Sequence, residues 1–270
     1  MSYHIFANHA HVFPENVRPD GTVDVLKRTM DECGIDQCVC FATFPSQLKE
    51  ENEETNGWLY KQIHSDPDLV GFGVIDFEKG DLRGQVDRIA DYGFKGIKIH
   101  PAFQKIAVDG EKAFEVYARA EELGLFLSFH TGVHWHRIRD YQVWRFDEIA
   151  YHFKKIRFSM EHLGGYCFFE EGLAVMLNNM HRGDENPRIF AGLTSVFDPD
   201  MNRAWNLSDQ KIYDLFWQTG DKASIFGLDF PYNGAKLISE AIAHFSSMEL
   251  PEETKQLVFG GNLRRVLGLK

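Results

Sequence analysis

The feature that most constrains this chain is a pattern recurring about every 30 residues: a short apolar or β-branched run, a polar loop, then a segment with apolar residues at helical spacing. The strand-like runs begin near Tyr3, Gln37, Leu69, Phe94, Leu125, Ile156, Arg188 and Ser224. Between them, Leu82, Val86, Ile89 and Ala90 form one apolar stripe, and Leu173, Met176, Leu177 and Met180 a second. Ile212, Leu215 and Phe216 make a third, and Leu237, Ala241 and Phe245 a fourth. Residues spaced in this way cover one face of a helix, which is the face a helix lays on a sheet. Gly34, Gly93, Gly124 and Gly220 fall where such helices should stop, the place where glycine adopts the left-handed conformation that closes a helix. Strands and helices alternating in this order specify a parallel sheet with right-handed crossovers. Eight units in 270 residues predict one α/β domain over residues 1–270, a (β/α)8 TIM barrel. An open doubly wound sheet is the alternative, but its dinucleotide-binding form needs a GxGxxG after the first strand, and none is present. The acidic run from Lys49 to Glu54 reads as the solvated start of a helix.

The net charge of −11 argues against nucleic acid, whose phosphates need a basic surface, and against docking on anionic lipid. The 23 phenylalanines predict a core rich in aromatic rings. Cys33, Cys38, Cys40 and Cys167 contain no CxxC pair and are too sparse for a disulfide scaffold. They read as reduced core residues, Cys38 and Cys40 on one face of a strand. The opening residues lack a basic segment followed by an apolar one, and no apolar run approaches the ~20 residues of a membrane span. A cytoplasmic location is expected.

The chemistry gathers at the ends of the strand runs. The first ends Asn8-His9-Ala10-His11. Residues i and i+2 of a strand point to one side, so two imidazoles can converge on one ion. Other runs close on Lys98-Ile99-His100-Pro101, on His130-Thr131-Gly132, on Glu161-His162-Leu163-Gly164 and on Asp229-Phe230-Pro231. In a parallel barrel all these ends lie on one face, where the catalytic groups of this architecture collect. Several lone-pair donors aimed at one mouth point to a metal site. Imidazole and carboxylate donors without thiolate suit zinc first, then manganese or iron.

This ordered set, HxH, GIKIHP, HTG, EHLGG and GLDFP, with a closing FGGNLRRVL, resembles the amidohydrolase superfamily. It is most similar to the amidohydrolase-related (type 2) branch, which includes decarboxylases similar to aminocarboxymuconate-semialdehyde decarboxylase. The resemblance runs from residue 3 to residue 269. It implies that His9, His11, His130 and Asp229 hold one divalent ion, and that Asp229 also exchanges a proton with the attacking water. It further implies that His162 polarises the substrate or activates the water, or ligates a second ion as in binuclear members. Two departures stand out. Asn8 replaces the aspartate usual before HxH, which should change support for the site rather than remove a ligand. Lys98 lies near the place where binuclear relatives carry a bridging carboxylated lysine, but two residues short of the strand end. It is expected to be a buried charge paired with a carboxylate.

His100 could cap a strand or touch substrate. Glu161, of opposite parity to His162, is expected to face the helices and serve a structural hydrogen bond. After the fifth strand, the loop Val133–Arg145 carries His134, His136, Arg137, Arg139, Arg145, Trp135, Trp144 and Tyr141. Arginine favours bidentate carboxylate or phosphate partners, so the loop, through His134, His136, Arg137 and Arg139, is expected to receive an anionic small-molecule substrate. The alternative is a lid stacked on its own aromatics, or a homodimer contact. The expected activity is metal-dependent hydrolysis of an amide, lactone or ester. Non-oxidative decarboxylation at the same site is the alternative, and a metal-free or inactive ligand-binding barrel the second alternative.

Overall fold

The computed structural model describes residues 3–49, 52–200 and 203–269. Eight parallel strands close on themselves in sequence order, the first pairing with the last. They are β1 (Phe6–His11), β2 (Gln37–Phe41), β3 (Leu69–Val74), β4 (Gly96–Ile99), β5 (Phe126–His130), β6 (Arg157–Glu161), β7 (Ile189–Thr194) and β8 (Ser224–Phe230). The crossovers hold α1 (Val23–Cys33), α2 (Thr55–Ile63), α3 (Leu82–Asp91), the short α4 (Pro101–Gln104), α5 (Glu111–Leu123), α6 (Phe146–His152), α7 (Gly165–Asn179) and α8 (Asp209–Thr219). After β8 come α9 (Ala235–Ser247), α10 (Glu252–Gln256) and α11 (Asn262–Val266). This is the predicted (β/α)8 barrel, and each strand begins within a few residues of its expected start.

Local chemistry explains the helix ends. The Thr22 hydroxyl accepts from the Val25 amide to start α1, and Ser208 does the same from Lys211 for α8. Gly34, Gly93, Gly124 and Gly220 all take positive φ, as expected of glycines that close helices. Of the acidic run, Glu54 caps α2, accepting from Asn56 and Gly57; Glu50 and Glu51 lie outside the described residues.

Alternation along each strand divides the core in two. Cys38, Cys40, Ile97, Ile99, Leu127 and Phe129 face the helices. Phe6, Val39, Phe41, Phe72, Phe126, Phe190 and Ile225 fill the barrel, whose floor is sealed by Leu263, Val266 and Leu267 from α11 and the turn after it. The rings of Phe41, Phe72, Phe126 and Phe190 follow one another at centroid spacings of 5.7–6.0 Å, which accounts for much of the heavy use of phenylalanine.

Three expectations are corrected. Cys33 is only half-buried and Cys167 is exposed, so the core thiols are Cys38 and Cys40 alone. Leu177 is exposed, at the edge of a stripe on α7 whose buried members are Leu173 and Met176. Glu161 points into the barrel rather than toward the helices. It shares the inward face with Ser159, and it is His162 that breaks parity by taking φ 65°.

The barrel interior leaves no spare room beside Glu161. A Cβ added at Gly192 would lie 2.5 Å from Glu161 Oε2 and 2.8 Å from its Cα. Gly192→Ala should therefore overpack the barrel and cost about 1–3 kcal/mol. Urea unfolding of the variant checks this; unchanged stability would show that the barrel yields at this level.

Candidate metal centre and active-site cavity

The site begins where β1 stops being regular. In an even pleat Asn8 and His9 would face opposite sides. The register to β2 slips between Ala7 and Ala10, and His9 takes φ 71°, so both side chains turn inward to one carboxylate. Asn8 Nδ2 donates to Glu161 Oε1 at 2.8 Å, and His9 Nδ1 lies 2.9 Å from Oε2. Ser128 Oγ (3.2 Å), Thr194 Oγ1 (2.8 Å) and Ser159 Oγ also donate to Glu161. Facing a carboxylate, His9 Nδ1 carries the ring proton and Nε2 is left as an acceptor, with the Lys98 amine 3.3 Å away. Asn8 is thereby explained: an aspartate there would set a second carboxylate against Glu161.

His9 Nε2 lies 3.4 Å from Asp229 Oδ1. His9, His11 and Asp229 each offer a ligating atom within 4.8 Å of the others. Burial pushes the imidazoles of His9 and His11 well below their usual range, and the neighbouring Lys98 adds to the effect, so both stay neutral, the form that binds metal. Two donors on one tetrahedral zinc, each at about 2.0–2.1 Å, stand roughly 3.3–3.4 Å apart, matching the His9–Asp229 separation. These residues fit a divalent ion.

Asp229 also takes a left-handed backbone, at φ 59°. Ser195 Oγ donates to its Oδ2 at 2.8 Å, and Asn233 Nδ2 donates to Ser195 Oγ at 2.9 Å. Burial raises the carboxyl to about 6, opposed by the Ser195 hydrogen bond.

His130 stands beside this group rather than within it. Its Nε2 donates to the Gly132 carbonyl at 2.7 Å, and His162 Nδ1 donates to the Thr194 carbonyl at 2.8 Å. The nitrogens then left facing each other, His130 Nδ1 and His162 Nε2, are 3.2 Å apart. Burial keeps both rings neutral, lowering His162 to about 3 and His130 well below its normal range. Two neutral rings so oriented oppose their lone pairs, an arrangement that a cation or a shared proton relieves. His162 is covered by the Trp205 ring, 4.2 Å away between centroids.

His100 stacks on His130, with centroids 3.9 Å apart and planes at 14°. It caps α4 rather than a strand: its Nδ1 accepts from the Phe103 amide at 3.2 Å. The ring proton is then on Nε2, which is buried without a partner. Lys98 is fully buried, its Nζ 3.3 Å from His9 Nε2 and 4.9 Å from the centre of the Phe41 ring. It makes no ion pair among the described residues, contrary to expectation. Burial lowers its amine to about 8 while Glu161 and Asp229 pull it back up.

A cavity of about 640 Å³ opens over these groups, reached by His11, His100, His130 and Asp229. His134 and His136 line it as well, and its walls are Phe44, Phe103, Trp135, Trp205 and Tyr232. Arg137 and Arg139 border a neighbouring chamber instead. Sequence reasoning missed Trp205 and Tyr232. Tyr232 lies three residues past Asp229, close enough to the strand tip to have been a candidate. Trp205 belongs to a loop without periodicity, held by its Nε1 bond to the Val133 carbonyl at 2.8 Å.

Residues 8–269 match the amidohydrolase family model (Amidohydro_2). The chain belongs to the amidohydrolase family. No curated protein sequence matches it. Among solved structures, this amidohydrolase superposes on 5-carboxyvanillate decarboxylase of Sphingomonas paucimobilis with a TM-score of 0.74, 15% identity and 100% of both chains covered. A protein of Pseudomonas putida assigned as a 2-pyrone-4,6-dicarboxylic acid hydrolase gives 0.71 at 17% identity, covering 99% of this chain and 98% of that one. A dihydroxybenzoic acid decarboxylase of Polaromonas, solved with manganese and 2-nitroresorcinol, gives 0.72 at 14%, covering 98% and 97%. At these identities the likeness establishes the shared fold.

Glu161 fixes the tautomer of His9 without touching the ion site itself. Glu161→Gln should weaken metal binding about 10–100-fold, the usual effect of losing a partner that orients a ligand. Competition against a chromophoric chelator measures this; wild-type affinity in the variant would show that His9 is oriented by other contacts.

Proposed function

We propose that this amidohydrolase is a metal-dependent hydrolase acting on a small carbonyl compound with a flat, unsaturated body. The observation that carries the reading is the convergence of the His9, His11 and Asp229 donors, with their lone pairs prepared, beneath a cavity walled by aromatic rings. His9, His11 and Asp229 hold the ion, with His130 and His162 beside them; zinc suits this donor set best, and the Polaromonas structure makes manganese the next choice. When bound, the ion supplies Lewis acidity at the floor of the cavity.

The chain's own residues do the rest. Asp229 accepts a proton from the attacking water and returns it to the leaving group. His100 Nε2–H, buried and unspent, donates to the substrate oxygen on which charge develops. Its stack on His130 and its bond from Phe103 fix the ring, so no reorientation is needed as the reaction proceeds. Phe44, Phe103 and Trp205 bind the flat body and exclude water. Four unpaired thiols, with no helix among the described residues long and apolar enough to cross a membrane, support a cytoplasmic setting.

Non-oxidative decarboxylation is the second reading. Both decarboxylases named above act on aromatic acids, and the aromatic walls accept such a ring equally well. In that case Asp229 would hand its proton to the ring carbon that loses carboxylate.

Elemental analysis of the purified protein should find a divalent metal, and His11→Ala or Asp229→Asn should lose most of it. Chelation should abolish turnover, and zinc or manganese should restore it. With a panel of lactones, esters, amides and aromatic acids, Asp229→Asn should lower kcat about 10²–10⁴-fold. Acid release supports hydrolysis and CO2 release supports decarboxylation. Full turnover by metal-stripped protein would overturn both.

A further inference from the structure

Beside the catalytic cavity lies a second chamber of about 840 Å³. The two share the His130, Trp135 and His136 side of their walls, yet their chemistry differs. Among the described residues no lysine or arginine lines the catalytic cavity. The second chamber, between the turn that ends α4 and the segment leading into α6, is bordered by Lys105, Arg137, Arg139 and Arg145.

Its charge is not cancelled from within. Arg145 is committed to Asp109, with both Nε and a terminal nitrogen 2.7 Å from Oδ2. Arg139 lies 3.6 Å from Asp140, the one carboxylate that borders the chamber. Lys105 and Arg137 form no ion pair among the described residues. Two cationic groups thus face one concave space on a chain whose net charge is −11. Other bases on the surface are paired with acids, as Lys27 is with Asp66, Arg83 with Glu122 and Lys222 with Glu185, but what distinguishes Lys105 and Arg137 is that they border the same concave space. A local cationic concavity on an acidic protein focuses the field and draws in small anions, and a guanidinium fork beside an ammonium suits a carboxylate, sulfate or phosphate group.

We propose that this chamber is a binding site for a small anion of two or more charges, held by Lys105 and Arg137, with Arg139 at the rim. The anion is either the remote end of the substrate, in which case the site rests on the function proposed above, or a separate small molecule. In both cases its chemistry is the same.

Isothermal titration with sulfate and with glutarate at low ionic strength tests the site without any need for turnover. Wild type should show a single site for at least one of the two probes. The Lys105→Ala/Arg137→Ala double variant should bind about ten-fold more weakly or worse, as expected when charge-assisted hydrogen bonds are lost. Arg137→Lys should keep part of the affinity. Asp229→Asn should bind sulfate like the wild type, so a failed catalytic assignment leaves this test intact. Both chamber residues are exposed, and a thermal melt coinciding with wild type shows that the double variant folds. Once turnover is found, a raised KM with unchanged kcat in the double variant, together with competitive inhibition by sulfate, marks the substrate's own anionic end. Unchanged KM with non-competitive sulfate marks a separate anion. No binding by the wild type, or equal binding by the double variant, would overturn the proposal.

Discussion

A carboxylate buried in the middle of a barrel is costly unless its lone pairs are taken up. At Glu161 five side chains from four strands, β1, β5, β6 and β7, do this: Asn8, His9, Ser128, Ser159 and Thr194. The consequences spread from that point. Asn8 has to be an amide. His9 has to carry its proton on Nδ1, which frees Nε2 for an ion. Gly192 has to lack a side chain, since any Cβ there would enter the space of the carboxylate. Lys98 can remain buried because Glu161 and Asp229 offset part of its desolvation. A small set of polar residues at one level of an otherwise phenylalanine-filled barrel thus fixes the orientation of the ligands above it.

The second constraint is backbone geometry at the strand tips. His9, His162, Ser195 and Asp229 all adopt positive φ, a conformation uncommon for residues with a side chain and costing of order 1–3 kcal/mol each. They sit at the ends of β1, β6, β7 and β8. A regular strand sends alternate residues to opposite faces, so one tip could supply at most every second side chain to the mouth. The left-handed residues break the alternation. Glu161 and the following His162 both turn inward, as do Asn8 and His9. The site is therefore denser in functional groups than regular pleating allows, and the hydrogen bonds around Glu161 and Ser195 hold the strained tips in place.

This explains how much could be read from the sequence. The barrel was legible because strand and helix periodicities are local and repeat eight times. The residues His9, His11, His100, His130, His162 and Asp229 were legible as strand-end polar groups, since such groups in a parallel barrel share one face. The orientation of Glu161 was not, because parity arguments assume even pleating and give no sign of a left-handed residue next door. The partition of His130 away from the three-residue cluster depends on carbonyls of Gly132 and Thr194, which no side-chain pattern encodes. Nor could the arginines of the 133–145 loop be assigned to one cavity or the other. Their composition marked them as anion receptors, while the wall formed by Trp135 and His136 exists only in three dimensions.

The separation of charge between the two chambers follows from the metal chemistry. A guanidinium within the catalytic cavity would repel a divalent ion and draw Asp229 into an ion pair, removing it as a ligand and as a base. The cavity instead exposes neutral imidazoles and aromatic faces; Lys98 does not line it, although its buried Nζ lies 3.3 Å from His9 Nε2 and 4.9 Å from the centre of the Phe41 ring. Fixed positive charge sits beyond the His130, Trp135 and His136 wall, where it can attract an anion without competing at the cluster. Holding the proposed cation and anion side by side requires such a partition, because in a single undivided pocket the arginines would pair with Asp229.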